Sequence, residues 1–164
     1  MAGEGASSWL LSIEQSGIGQ AIRQSVWAYP AVNVIHVLGL AFFAAAVVVM
    51  DLRVLGFFAA TKPAEVIRPA RRFAASGLAI MLVSGSCLFI AEASHIAQNY
   101  VFLTKMALVA VGILSALLVH RPLSRFLLRG APMETAPGGL RTAAVMSLTL
   151  WVVVAGLGRF IAYV

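Results

Sequence analysis

Residues 33–53, NVIHVLGLAFFAAAVVVMDLR, form an apolar run with a single ionisable side chain inside it, His36, before the run ends at Asp51 and Arg53. The apolar residues are continuous and do not alternate with polar ones, which predicts a helix and not a strand of a membrane barrel. Crossing a hydrocarbon layer of about 30 Å takes about 20 helical residues. The run therefore predicts a membrane-spanning helix that carries a histidine.

The rest of the chain has the same character. Of its 164 residues, 61% are apolar and 11% are charged, and the mean hydropathy is +0.94. This composition is typical of an integral membrane protein. Apolar runs of sufficient length occupy about residues 30–50, 73–91, 101–119 and 142–164. We expect an all-α fold in which a four-helix transmembrane bundle forms a single integral membrane domain over residues 1–164.

Residues 1–29, ahead of the first span, mix apolar side chains with polar ones and include two tryptophans, Trp9 and Trp27. Such a mixture predicts one or two short amphipathic helices that lie in the membrane interface. The segment lacks the basic start and the long apolar centre of a secretory signal, so we expect it to stay attached to the first span.

Lysine and arginine residues are unevenly distributed between the two sides of the predicted bundle. The loops after the first and third spans hold nine of the 12: Arg53, Lys62, Arg68, Arg71, Arg72, Arg121, Arg125, Arg129 and Arg141. The positive-inside rule places these loops in the cytoplasm and both termini in the periplasm of a bacterial inner membrane. The net charge of +6 then indicates contact with anionic headgroups of the lipid bilayer and not with nucleic acid.

Intramembrane polar residues concentrate near the predicted periplasmic side. At about 1.5 Å per residue, His36 lies roughly 9 Å below that surface. The same counting places four further residues in its layer: Cys87, Lys105, Met106 and Arg159. His95 lies nearer the surface, whereas His120 lies at the opposite end of the bundle. Polar side chains at such depth normally face the bundle interior, where they pair or serve a function.

This layer matches the requirements of haem b, which are axial imidazoles, small residues beside the macrocycle and cations for the propionates. The candidates are His36 and His95 as axial ligands, Gly39 and Gly158 beside the macrocycle, and Lys105 and Arg159 at the propionates. The sixth ligand could instead be Met106 or be absent. His120 is too far from His36 to share a haem, and could serve only a second site. We predict a b-type cytochrome-like electron-transfer protein with one haem near the periplasmic face.

Two other functions fit the same residues. Soft thiolate and thioether ligands with an imidazole favour Cu(I), so His36, Cys87 and Met106 predict a copper-handling membrane protein as one alternative. The other is a non-catalytic anchor or assembly subunit, in which His36 only hydrogen-bonds a neighbouring helix. Four spans with short loops favour a homo-oligomer, or a periplasmic or membrane redox partner. No hydrolase motif is visible at convincing spacing.

We expect little from the polar groups at the cytoplasmic side. Asp51 and Arg53 are predicted to form exposed pairs with Arg71, Arg72 or backbone groups, and such pairs contribute about 0 to 1 kcal/mol. The loop over residues 122–140 contains several Gly and Pro residues, which predict a flexible connection without a fold of its own.

Short motifs follow the chain from the first span to the C-terminus. They are Arg-x-Ser-x-Trp-x-Tyr-Pro, Asp-Leu-Arg, Asn-x-x-Phe-x-x-Lys and Gly-Arg, which here are Arg23, Ser25, Trp27, Tyr29, Pro30, Asp51, Arg53, Asn99, Phe102, Lys105, Gly158 and Arg159. Together with His36 and His120, these motifs resemble those of a family of small bacterial four-span membrane proteins of unknown function. In general plan that family is similar to cytochrome b561-like and CopD-like four-helix membrane proteins. The similarity implies the four-helix fold and is a weak guide to function.

Overall fold

The chain is all-α, as predicted. The computed structural model describes residues 2–160, and it contains no strand within that range. In chain order the elements are α1 (Ala2–Glu14), α2 (Gly17–Gln24), α3 (Ala28–Val54), α4 (Pro63–Ala91), α5 (Ala93–Ile96), α6 (Tyr100–Leu128), a 3-10 helix (Met133–Thr135) and α7 (Gly138–Phe160). The end of the predicted fourth span, residues 161–164, lies outside the described residues.

Four of these helices, α3, α4, α6 and α7, are 23 to 29 residues long and apolar enough to cross a membrane. They form an antiparallel bundle, which confirms the predicted architecture. Both α4 and α6 extend by two or more turns past the apolar runs, because charged residues such as Arg68 and Arg125 end a run but are compatible with a helix. We call the bundle end that holds His36 the histidine end, and the one that holds Asp51 the aspartate end.

Glycines bring α3 and α4 into close contact. A Cβ added at Gly77 would lie 2.9 Å from the backbone nitrogen of Phe43, and one added at Gly39 would lie 2.9 Å from Cγ2 of Ile80. Small residues at such crossings allow helix backbones to approach closely, which is the main source of packing energy between helices in lipid. The Gly39 and Gly77 contacts therefore set the spacing of this pair.

Aromatic residues connect the second helix pair to the first. On α6, a Cβ added at Gly112 would lie 2.7 Å from Cζ2 of Trp151, so the indole of α7 packs against the α6 backbone. The Phe43 ring of α3 meets the same indole edge-on, with ring centroids 4.5 Å apart. Edge-to-face pairs of this kind add about 0.5 to 1.5 kcal/mol beyond the area that they bury. Trp151 therefore joins α3, α6 and α7 at mid-bundle.

The connection over residues 122–140 is more ordered than predicted. Pro122 lies inside α6, which continues to Leu128, and the Met133 side chain in the 3-10 helix is 0% exposed. Met133 belongs to a core cluster that also includes Ile67 of α4 and Phe126 of α6. The prediction of a flexible loop was wrong because the apolar Met133 side chain, among the Gly and Pro residues, packs into this core and fixes the connection.

The N-terminal segment forms two short helices, which matches the predicted number. The Ser16 hydroxyl accepts a hydrogen bond from the Gly19 amide and so caps α2. Helix α1 packs against α5, and α2 packs against α4. Both short helices therefore lie at the histidine end of the bundle.

Candidate functional site

His36 is held by a short chain of hydrogen bonds to α4. Its Nδ1 lies 3.0 Å from the hydroxyl of Ser84, and that hydroxyl donates to the Ile80 carbonyl at 2.7 Å. A serine hydroxyl has one proton to donate, and Ser84 donates it to the Ile80 carbonyl, so the Ser84 oxygen accepts a hydrogen bond from His36. The ring proton is therefore on Nδ1. In the neutral imidazole, Nε2 keeps a free lone pair.

The imidazole also lies directly against the α4 backbone. A Cβ added at Gly85 would be 3.2 Å from Cε1 of His36, tighter than most real contacts. Ser84 is itself buried, so solvent has little access to its bond with His36. Ser84 and Gly85 together fix the height and the orientation of the ring.

Lys105 approaches this site from α6. A Cβ added at Gly158 would lie 3.1 Å from Lys105 Nζ, which places the ammonium over the α7 backbone at that glycine. The Lys105 charge also acts electrostatically on His36. Residues from all four long helices therefore meet at the histidine end, and among the predicted site residues the structure brings together His36, Lys105 and Gly158.

Three other predicted site residues lie at the edge of this group. His95 is exposed on α5, and Arg159 is exposed in the last turn of α7. Gly39, predicted to lie beside a macrocycle, faces Ile80 and Met81 of α4 in a helix contact. Cofactor binding by His95 and Arg159 stays a prediction.

Two of the predicted copper ligands, Cys87 and Met106, differ in burial. Cys87 is a free, half-buried thiol, whereas the Met106 side chain is 40% exposed. Among residues 2–160, no group of three or more His, Cys, Asp and Glu side chains could hold a metal ion. A copper site that used the Met106 thioether is of a different kind, so copper binding by His36, Cys87 and Met106 stays a prediction.

A polar network beside this site was missed by the sequence analysis. The Glu14 carboxylate accepts hydrogen bonds from the Ser94 hydroxyl and, at 3.1 Å, from the Ser94 amide, and it pairs with Arg23. The Ser94 hydroxyl, the Ser94 amide and the Arg23 charge together lower the pKa of Glu14. The network joins α1, α2 and α5. Nothing in the sequence around Glu14 indicates Ser94 as its partner, because the two residues are 80 positions apart.

The polar residues at the aspartate end are buried, contrary to the prediction of exposed pairs. Asp51 is 4% exposed and Arg53 is 2% exposed. Arg53 donates to the Thr61 carbonyl at 2.6 Å. The prediction was wrong because α4 and the 3-10 helix extend the packed core past the apolar run of α3.

His120 lies at the same end and has a basic partner. Arg71 Nη1 is 3.2 Å from His120 Nδ1 and donates to the Ser124 hydroxyl at 2.9 Å. An arginine can only donate, so His120 Nδ1 accepts and the ring proton is on Nε2. The structure therefore separates His120 from the His36 site, as predicted, and its role in a second site stays a prediction.

The comparisons with known proteins give a family without an assigned activity. No curated protein and no solved structure matches the chain. Residues 14–164 match the profile described as "Family of unknown function (DUF6644)". The match covers most of the chain, including all four long helices. The protein therefore belongs to the DUF6644 family of unknown function.

Proposed function

We propose that this protein is a b-type cytochrome-like membrane protein that transfers electrons and holds one haem near the periplasmic face, with His36 as the principal axial ligand. The observation that carries the proposal is the hydrogen bond between His36 and Ser84, from which we infer the tautomer of His36. The His36 Nδ1–H donates to the Ser84 hydroxyl, which itself donates to the Ile80 carbonyl. This leaves Nε2 unprotonated, and metal-ligating histidines commonly have one ring nitrogen engaged in this way.

The residues around His36 fit this cofactor. Gly85 leaves room for the imidazole against α4, and Lys105 brings a cation to the same level from α6. Lys105 would neutralise a propionate, and Arg159, exposed near the same end of α7, is the second candidate cation. Haem b would supply reversible one-electron chemistry at its iron.

Ser84 has the supporting role in this proposal. By accepting the hydrogen bond from Nδ1–H, Ser84 holds the ring in one orientation and makes Nε2 more basic, which would strengthen a bond from Nε2 to a metal. His95, on α5, is the candidate for the other axial position, with Met106 as the alternative. The orientation of the chain with both termini in the periplasm comes from the positive-inside rule.

The first test is a dithionite-reduced minus oxidised visible spectrum of the protein purified in detergent from haem-replete cells, with metal analysis on the same sample. We expect a sharp α band of the b type. His36→Ala should lose the pigment, whereas Cys87→Ser should keep it. A flat spectrum would contradict the proposal, and the copper content of the sample would then separate a copper-handling protein from an anchor subunit.

A further inference from the structure

A cavity of about 380 Å³ lies between the four long helices and extends from Trp151 at mid-bundle to Asp51 at the aspartate end. Its walls are mainly apolar and include two aromatic side chains, Phe43 and Trp151. Its volume is within the range of small-molecule sites, about 300 to 1,000 Å³. The cavity shares no residue with the group formed by His36, Ser84, Gly85, Lys105 and Gly158.

A carboxylate oxygen without a partner lies on the wall of this cavity. Asp51 is 4% exposed, and its Oδ2 atom has no hydrogen-bond partner among the described residues. Ser147 of α7 lines the same cavity. A buried polar atom without a partner is costly, because it has lost its hydration and gained nothing in return. Asp51 therefore points to a ligand that completes its hydrogen bonds.

The other polar groups of the cavity narrow the chemistry of that ligand. Arg71 also lines the cavity and carries a positive charge, which disfavours a cationic ligand. His120, beside it, lines the cavity as well. A neutral hydroxyl can donate its proton to the unpartnered carboxylate oxygen of Asp51, whereas an ether oxygen has no proton to donate. A hydroxyl therefore completes the hydrogen bonds of the Asp51 carboxylate.

The walls and the opening of the cavity indicate an apolar body for this ligand. Ala75 of α4 and Ala116 of α6 line the cavity and are exposed on the surface of the bundle. Both residues lie within helices that are long and apolar enough to span a membrane. A molecule dissolved in lipid would reach the cavity through this opening.

We propose that the cavity binds a lipid-soluble molecule with a hydroxyl headgroup. The hydroxyl bonds to Asp51, and the apolar body packs against Phe43 and Trp151. This site is independent of the haem proposal, because it uses other residues at the other end of the bundle. Either proposal can fail without the other.

Trp151 provides a direct readout of binding. The chain has three tryptophans, so the Trp9→Phe, Trp27→Phe double variant of the full protein leaves Trp151 as the only one. A ring-brominated long-chain alkylphenol quenches tryptophan on contact, and its methyl ether is a matched probe without the hydroxyl proton. We expect saturable quenching by the phenol in detergent and binding by the ether that is at least tenfold weaker.

Two carboxyl variants in the same background test the role of Asp51. We expect Asp51→Asn to weaken phenol binding at least about tenfold, because it removes the charged acceptor. Glu65→Gln, which changes an exposed carboxylate paired with Lys62 at 3.7 Å, should bind the phenol as tightly as the parent. Equal affinity for phenol and ether, quenching that never saturates, or unchanged binding by Asp51→Asn would each overturn the proposal.

A cavity-filling variant covers the case in which Asp51→Asn does not fold, as judged by circular dichroism. Ser115→Leu adds an apolar side chain to the cavity wall and leaves Asp51 in place. We expect this variant to keep its helical content and to lose saturable quenching. Parental affinity for the phenol in folded Ser115→Leu would overturn the proposal.

Discussion

The contact between Gly77 and Phe43 gives the most specific prediction about stability. An added Cβ at Gly77 would lie 2.9 Å from the nitrogen and 3.0 Å from the Cα of Phe43. These are backbone atoms, so no side chain can rotate away to make room. Ordinary contacts of a Cβ begin at 3.4 Å, so α3 and α4 must separate by about half an ångström.

The expected cost of Gly77→Ala follows from two opposing terms. Overpacking of a close contact costs about 1 to 3 kcal/mol. Replacing glycine by alanine inside a helix recovers about 0.5 to 1 kcal/mol. We therefore expect a net destabilisation of about 0 to 2.5 kcal/mol, with a central value of about 1 kcal/mol. The matched control is Gly156→Ala in α7, where an added Cβ meets nothing within 4 Å, so only the favourable helix term remains.

The assay is unfolding in mixed micelles of a mild detergent and dodecyl sulfate, followed by tryptophan fluorescence. The free energy of unfolding should fall for Gly77→Ala and should stay level or rise for Gly156→Ala. Equal stability of the two variants would show that α3 and α4 are not held at the described distance.

Three further predictions concern the core, the N-terminal network and the histidine. Met133→Ala should lower the free energy of unfolding in the same assay by about 2 to 5 kcal/mol, because the side chain is 0% exposed; a loss below about 1 kcal/mol would contradict its place in the core. The pKa of Glu14 is lowered in the folded protein, so ionised Glu14 should stabilise the fold above its unfolded pKa of about 4.3, and this contribution should be lost as the pH falls through the folded pKa. Glu14→Gln should therefore reduce the pH dependence of the free energy of unfolding in this range, whereas Glu65→Gln, at an exposed carboxylate, should not. Ser84→Ala should weaken haem binding about 10- to 100-fold in a haem titration without abolishing it, and Ser86→Ala, two residues along α4, should bind haem as tightly as the wild type. Equal haem affinity of the two variants would exclude a role for Ser84.

The bundle could be predicted from the sequence because a long, continuous apolar run satisfies its backbone hydrogen bonds in lipid by forming a membrane-spanning helix. Counting residues inward from the predicted surface also placed His36 and Lys105 in one layer, since every residue of a helix advances the chain by a similar rise. The structure brings these two residues together, with Gly158 of α7 beside Lys105. The partner of His36 was not predicted, because Ser84 is one of several serines in α4 and most serines in apolar helices bond only to their own backbone.

Burial at the aspartate end could not be predicted from the sequence. Asp51 and Arg53 follow the apolar run directly, and charged residues in that position usually mark the edge of the core. Their neighbour Val54 belongs to a core cluster with Ile67 and Met133, residues that are distant in sequence and meet only in the folded chain. The unpartnered Oδ2 of Asp51 is therefore a feature that only the three-dimensional structure reveals.

The central claim is that Nε2 of His36 is available to bind a haem iron. The most direct measurement is the haem-to-protein ratio, by a pyridine haemochrome assay, of wild type, His36→Ala and His120→Ala purified in parallel from haem-replete cells. We predict about one haem per chain in the wild type and in His120→Ala, and none in His36→Ala. Equal haem content in all three proteins, or no haem in the wild type, would contradict the claim.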